Sequence, residues 1–246
     1  MSEMKRILVG ILFLGASAAA LAAIDAQELL KRSDHARGGG LPGIVWKIRV
    51  VSREEGRVLD EQRLEVRAVD DASVAETLDP PRFKGSKLLQ VKRSMWLTRH
   101  GLSKPIPISP RQRLSGQASN GDIAATNYAA DYDASFSGEE SVDGEACRIL
   151  ELKAHHKQAT YDRIRYWVSE KREVGMKAEF LSLSGKLLKT ARFEYGNSIR
   201  FEGKHLPFVS KMTITDALTD SETTMEFGTI EVRQIPASEF DLGQIQ

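Results

Sequence analysis

His155 and His156 are adjacent imidazoles, side chains that bind metals and move protons near neutral pH. A metal site needs further His, Cys or carboxylate ligands at matching spacing, and none accompanies the pair. Adjacent residues on a strand also point to opposite faces. The pair therefore reads as part of a solvated loop, and neither a metal nor another cofactor is expected. Asp131 and Asp133 share a face, the arrangement used for paired-carboxylate acid–base work. No neighbour in sequence supplies a partner or substrate pocket, so they read as polar residues at a strand entry. Ser115-Gly116-Gln117-Ala118-Ser119 lacks the Gly-x-Ser-x-Gly pattern of a nucleophile elbow, and no phosphate-cradling glycine loop is present. Arg111 and Arg113, with Gln112 between them, suit an anionic headgroup or a partner contact; they equally suit anchoring of their own loop. Cys147, the sole cysteine, alternates with Ile149 and reads as a small buried residue, so no internal disulfide can form. No nucleophile with a base emerges, and the chain is expected to bind rather than catalyse.

The elements that position these residues are mostly strands. Asp25 to Arg37 reads as a helix with Ala26, Leu29, Leu30 and Ser33 on one face, ended by Gly38-Gly39-Gly40. From there the period changes to two. Trp46, Ile48 and Val50 alternate with Lys47 and Arg49, and Arg63 to Arg67 repeats the pattern after a hairpin loop at 54–57. Further strands are expected over 74–78, 84–91, 94–98, 134–137, 147–152, 161–168, 177–182, 187–195, 206–215 and 223–232. Asp143-Gly144, Ser184-Gly185 and Gly203-Lys204 supply turns, which makes the sheet antiparallel. In the last strand Met225 and Phe227 lie on one parity and Ile230 and Val232 on the other. A bulge at Gly228 would bring all four to one face. Residues 99–130 break the pattern with three prolines and a short helix expected over Asp122–Tyr128, a length typical of a functional loop or lid. Ser238 to Leu242 reads as one helical turn capped by Ser238.

The ends and the charge bound the setting. Lys5 and Arg6, the apolar run Ile7–Leu14 and Ala20-Leu21-Ala22 have the three parts of a secretory signal peptide, with cleavage expected between Ala22 and Ala23. The alternative is a membrane anchor, but the stretch is short and its Ala/Gly/Ser half weakly hydrophobic. Residues 23–246 then form a single domain. Lys and Arg number 35 against 34 Asp and Glu, which argues against a nucleic-acid binder.

A sheet of this many strands must curl. Its dry face carries Trp46, Ile48, Val50, Met95, Phe180, Phe193, Phe208, Met212, Ile214, Met225 and Phe227, with few helices to cover it. These eleven residues are the candidate lipid-binding surface. Sixteen methylenes withdrawn from water are worth roughly 12 kcal/mol gross, and flexible methionines adapt to a mobile chain.

The runs RFKGSKLLQVKRSMWL, SKPIPISPRQRLSGQASNGDIAATNYAADYD, VDGEACRILEL and AEFLSLSGKLLKTARFEY resemble outer-membrane lipoprotein-sorting-like proteins, relatives of the carrier LolA associated with RND-type exporters. The resemblance covers roughly residues 82 to 195. It implies an incomplete antiparallel β-barrel of about eleven strands with a helical lid around a hydrophobic cavity. It also implies a monomeric periplasmic carrier that binds a lipid or lipoprotein acyl chain and moves it between the inner and outer membranes. An inner-membrane RND-type exporter and an outer-membrane acceptor are the implied partners. The carriers' arginine that holds the lid closed has Arg49, Arg63 and Arg67 as possible counterparts. The alternative is an envelope-stress sensor of related fold that binds lipid or protein ligands without catalysis.

Overall fold

The computed structural model describes residues 24–124 and 127–243. The expected signal peptide therefore lies outside the described residues. Asp25 caps the first helix, α1 (Ala26–Asp34), by accepting a hydrogen bond from the Glu28 N–H, and a 3-10 turn (His35–Arg37) follows. Gly38 then takes a left-handed φ of 104°, and the glycine run leads the chain into the sheet.

The strands follow in order: β1 (Ile44–Glu54), β2 (Arg57–Val69), β3 (Ala72–Asp79), β4 (Lys87–Val91), β5 (Ser94–Thr98) and β6 (Ile106–Ile108) form a meander. Next come a small hairpin, β7 (Arg113–Ser115) and β8 (Ala118–Ser119), and the one-turn helix α2 (Asn120–Ala124). A second meander contains β9 (Tyr132–Val142), β10 (Glu145–Ala154), β11 (Arg163–Ser169), β12 (Gly175–Leu181) and β13 (Leu187–Glu194). The hairpin β14 (Asn197–Phe201) and β15 (Lys204–Phe208) leaves the sheet before β16 (Lys211–Asp216) and β17 (Ser221–Val232) rejoin it. Antiparallel pairing of β1 with β17 joins the two meanders into one sheet of thirteen strands, which remains open between β6 and β9.

The expected incomplete antiparallel barrel is thus present, with thirteen strands in its main sheet rather than about eleven. The expected bulge is present too. Val45 pairs with Glu231 and Lys47 with Gly228, so β17 holds one extra residue; Thr229, next to Gly228, takes the positive φ. Phe227, Ile230 and Val232 then pack on the same core as Met225.

Three expectations differ. Residues 206–215 are two strands, because Val209 and Ser210 carry the chain from the β14–β15 flap back to the main sheet. The short helix runs over Asn120–Ala124 rather than Asp122–Tyr128, its start held by the Asp122 carboxylate, which accepts from the Ser119 N–H. The C-terminal turn spans Ala237–Phe240 without a side-chain cap from Ser238; instead Phe240 and Ile235 cover Val74 and Leu89 on the outer face.

The dominant core lies on the concave face and draws on nearly every strand of the sheet. α1 closes part of that face. Its Leu29 and Leu30 point inward, and Gln27 donates to the carbonyls of Ala129 and Tyr132 while accepting from the Ala134 N–H. Opposite, the β14–β15 flap lays Ile199 and Phe208 on the same core and is tied to the turn after α1 by the Val209 N–H on the Ala36 carbonyl at 3.0 Å. No helix among the described residues is long and apolar enough to cross a membrane.

Candidate functional site

The period-two pattern of β1 puts Trp46, Ile48 and Val50 on the concave face, and pairing brings the other strands' residues opposite them. Ile48 faces Phe227 and Val50 faces Met225 across β1–β17; Met212 faces Phe193 on one side and Met225 on the other. Met95 on β5, Phe180 on β12 and Ile214 on β16 join the same cluster. All eleven candidate lipid-contact residues are thus brought together, ten fully buried and Phe227 partly so. Trp46 and Phe208 meet edge-on with centroids 6.3 Å apart, and Phe180 stacks on Tyr161 at 4.0 Å.

The space between these side chains is nearly closed. A pocket lined by Arg37, Trp46, Ile123, Phe193, Phe208 and Met212, among others, has a volume of about 20 Å³, roughly one water molecule's worth. The implied hydrophobic cavity is filled here by the lid's own side chains: Phe208 from the flap and Ile123 from α2 occupy it.

The polar groups within this apolar face were not found from sequence. Arg37 is only 8% exposed; its guanidinium lies over the Tyr128 ring at 4.0 Å and 5.8 Å from the Phe193 ring centre. Its Nη1 has no hydrogen-bond partner, and neither do Trp46 Nε1, Tyr128 OH or Tyr166 OH. Asp34, three residues earlier, is buried, and desolvation pushes its carboxyl up to about 7. Nothing around Arg37 in sequence signals its burial, since a basic residue ending a helix is ordinarily solvated. The three arginines considered as lid counterparts all lie in surface ion pairs instead. Arg49 bonds Glu61 and Glu226, Arg63 approaches Glu61, and Arg67 joins Glu65, Glu76 and Glu239.

A second buried polar centre holds the loop over the sheet. Lys189 Nζ donates to the Gln117 carbonyl and to Ser119 Oγ and lies 3.5 Å from Asp122 Oδ2; Tyr161 OH donates to the same carboxylate at 2.7 Å. Here the sequence carried a signal. Leu187, Lys189, Ala191 and Phe193 share one parity, so a lysine stands on a dry face. Desolvation by burial and the Asp122 charge raise the Tyr161 hydroxyl well above its usual range.

Arg111 and Arg113 line a surface cleft of about 340 Å³ with Lys186 and Leu218. Arg111 donates to the Ala159 carbonyl and pairs with Asp162 at 2.8 Å, so it anchors its own loop; Arg113 is mostly exposed, 3.8 Å from Asp216. His155 and His156 do sit in a loop, and the partners that sequence did not supply for Asp131 and Asp133 are these two histidines. His156 Nε2 lies 2.8 Å from Asp131 Oδ1, and His155 Nδ1 lies 3.4 Å from Asp133 Oδ1. The four side chains clamp the 155–162 loop to the start of β9. Among the described residues no group of three or more His, Cys, Asp or Glu could hold a metal. Cys147 is buried with Trp167 and Met176 on the outer face, and burial raises its thiol.

An open antiparallel sheet curled around an apolar face, closed by short helices and a flap, is the half-barrel architecture of LolA-like proteins. Comparison with solved structures agrees. A LolA superfamily protein from Nitrosomonas europaea superposes with a TM-score of 0.79 at 29% identity, covering 89% of this chain and 98% of that one. An outer membrane lipoprotein-sorting protein domain from Vibrio parahaemolyticus gives 0.75 at 16% identity, covering 89% and 97%. A DUF1329 family protein from Desulfovibrio piger gives 0.74 at 21%, covering 89% and 97%; the last two show the fold alone. No curated protein matches the sequence. A family model described as "Uncharacterized protein" matches residues 69–246. The chain belongs to the family that this model defines, and its fold is LolA-like.

Proposed function

We propose that this protein is a periplasmic, non-enzymatic carrier that takes an acyl chain of a lipid or lipoprotein onto the concave face of its half-barrel. In this reading it passes the chain from an inner-membrane RND-type exporter to an outer-membrane acceptor. The observation that carries the reading is the convergence of Trp46, Ile48, Phe193, Met212 and Met225 on one apolar face covered by α1, the loop bearing β7, β8 and α2, and a two-stranded flap. A face covered by separately connected pieces can exchange their side chains for an acyl chain of similar area. Apolar burial then changes little, and binding stays reversible. The likeness to the LolA superfamily protein from Nitrosomonas europaea supports the carrier reading.

Native mass spectrometry with organic extraction, on protein purified without detergent, tests the proposal. A near-stoichiometric lipid or acylated peptide is the expected result and names the cargo. A bare polypeptide mass that stays unchanged after incubation with phospholipid and acylated peptide overturns it.

A further inference from the structure

The concave face is not uniformly apolar. Arg37 Nη1 and Trp46 Nε1, both buried donors without acceptors, line the same small pocket; its other walls are apolar except for Asp122, whose carboxylate is held by Lys189 and the Tyr161 hydroxyl. Charge makes the arrangement one-sided. Among the described residues two cationic side chains are buried, Arg37 and Lys189. Lys189 is matched by Asp122, which also takes the Tyr161 hydroxyl. Asp34 Oδ2 is taken by the Ala129 N–H, and burial keeps its carboxyl half protonated near neutral pH, so it does not fully neutralise Arg37. A guanidinium out of water with a free donor is unfavourable unless an anion meets it. Its planar fork suits a carboxylate or phosphate oxygen pair, and the indole N–H adds a third donor.

We infer that the pocket between Arg37 and Trp46 receives the anionic head, carboxylate or phosphate, of a single-chain amphiphile whose tail lies against Phe193, Phe208, Met212 and Phe227. This inference rests on the carrier reading and specifies the end of the cargo that enters first. Entry requires the flap to lift at the Val209–Ala36 hydrogen bond, because Phe208 occupies the path.

Displacement of a neutral fluorescent reporter, N-phenyl-1-naphthylamine, separates the possibilities. Lauric acid and monododecyl phosphate are expected to displace it about tenfold or more better than methyl laurate, the preference conferred by one charge-assisted buried contact. Arg37→Met removes that preference, so that acid and ester displace the reporter alike; Arg37→Lys retains part of it. Equal displacement by acid and ester in the unaltered protein overturns the inference while leaving the carrier reading intact, and needs no variant to fold. Sodium phosphate competing as well as dodecyl phosphate also overturns it, since the site would then take a free anion. Failure of every amphiphile, ester included, removes the carrier reading together with the inference.

Discussion

Ala129 donates its backbone N–H to Asp34 Oδ2 across 2.8 Å, so the last residue of α1 holds the segment that runs from α2 into β9. The carboxyl that makes this bond is out of water. Burial raises it from 3.8 to about 7, the Ala129 N–H, Arg37 and the Tyr128 N–H pull it part of the way back, and Asp70 pushes it up. The unfolded chain gives up this proton near pH 4 and the folded chain near pH 7. Stability from the group is therefore full below about pH 4 and is lost as pH rises through 7, on the order of 4 kcal/mol. Urea denaturation between pH 4 and pH 8 reads the slope. Asp34→Asn, which keeps an oxygen for Ala129, is expected to flatten it; equal slopes for the two proteins would mean that Asp34 ionises normally in the folded state.

Lys189 and Asp122 depend on each other, with side chains 10% and 1% exposed. Lys189→Met leaves the Asp122 carboxylate buried without its cation, at a loss of about 3–5 kcal/mol. Adding Asp122→Asn to that variant should restore a large part of the loss, because no charge is then stranded. A double-mutant cycle in urea measures the coupling; additive losses would show that the two groups do not interact.

Gly121 is where α2 sits on the loop after β10. A Cβ there would overlap the Thr160 hydroxyl. Gly121→Ala is expected to destabilise by about 1–3 kcal/mol, and Thr160→Gly in the same chain to recover the loss. Thermal melts of the single and double variants decide it, with no recovery meaning that the strain lies elsewhere.

Phe208 fills the concave face from the flap. Phe208→Ala is expected to cost about 3–5 kcal/mol of stability by opening a cavity against Trp46. If the face takes acyl chains, laurate should raise the melting temperature of this variant more than that of the unaltered protein. An identical shift in both would place the ligand away from Phe208.

Much of this architecture was legible because strands with one wet face announce themselves. Ser94–Thr98 and the Asp143-Gly144 turn are found where expected, and the parity slip at Gly228 marked a real bulge. The eleven apolar residues were legible for the same reason. The break at Val209–Ser210 was not, since Phe208 and Met212 keep one parity across it and only tertiary packing decides that β15 joins β14 instead of the main sheet. Arg37 was illegible in a different way: its burial depends on Tyr128 and Phe193, which lie about 90 and 150 residues further on. The link between Asp131 and His156 was hidden likewise, because it forms only when the loop after β10 folds back on the start of β9.

The sheet stays open: its borders, β6 and β9, have no further strand beside them among the described residues, although Gln27 of α1 takes the Tyr132 carbonyl and the Ala134 N–H at the start of β9. The longer one, β9, is outward-facing from Ser135 to Ser141 and bears Glu139 and Glu140 side by side, with a register slip just before them where Phe136 and Gly138 pair with Leu150 and Ile149. A foreign strand laid along this border meets two adjacent negative charges and an irregular hydrogen-bond ladder, both of which oppose sheet extension. The opening that gives the half-barrel its shape thus carries, along β9, features that disfavour fibril-like stacking of one copy on the next.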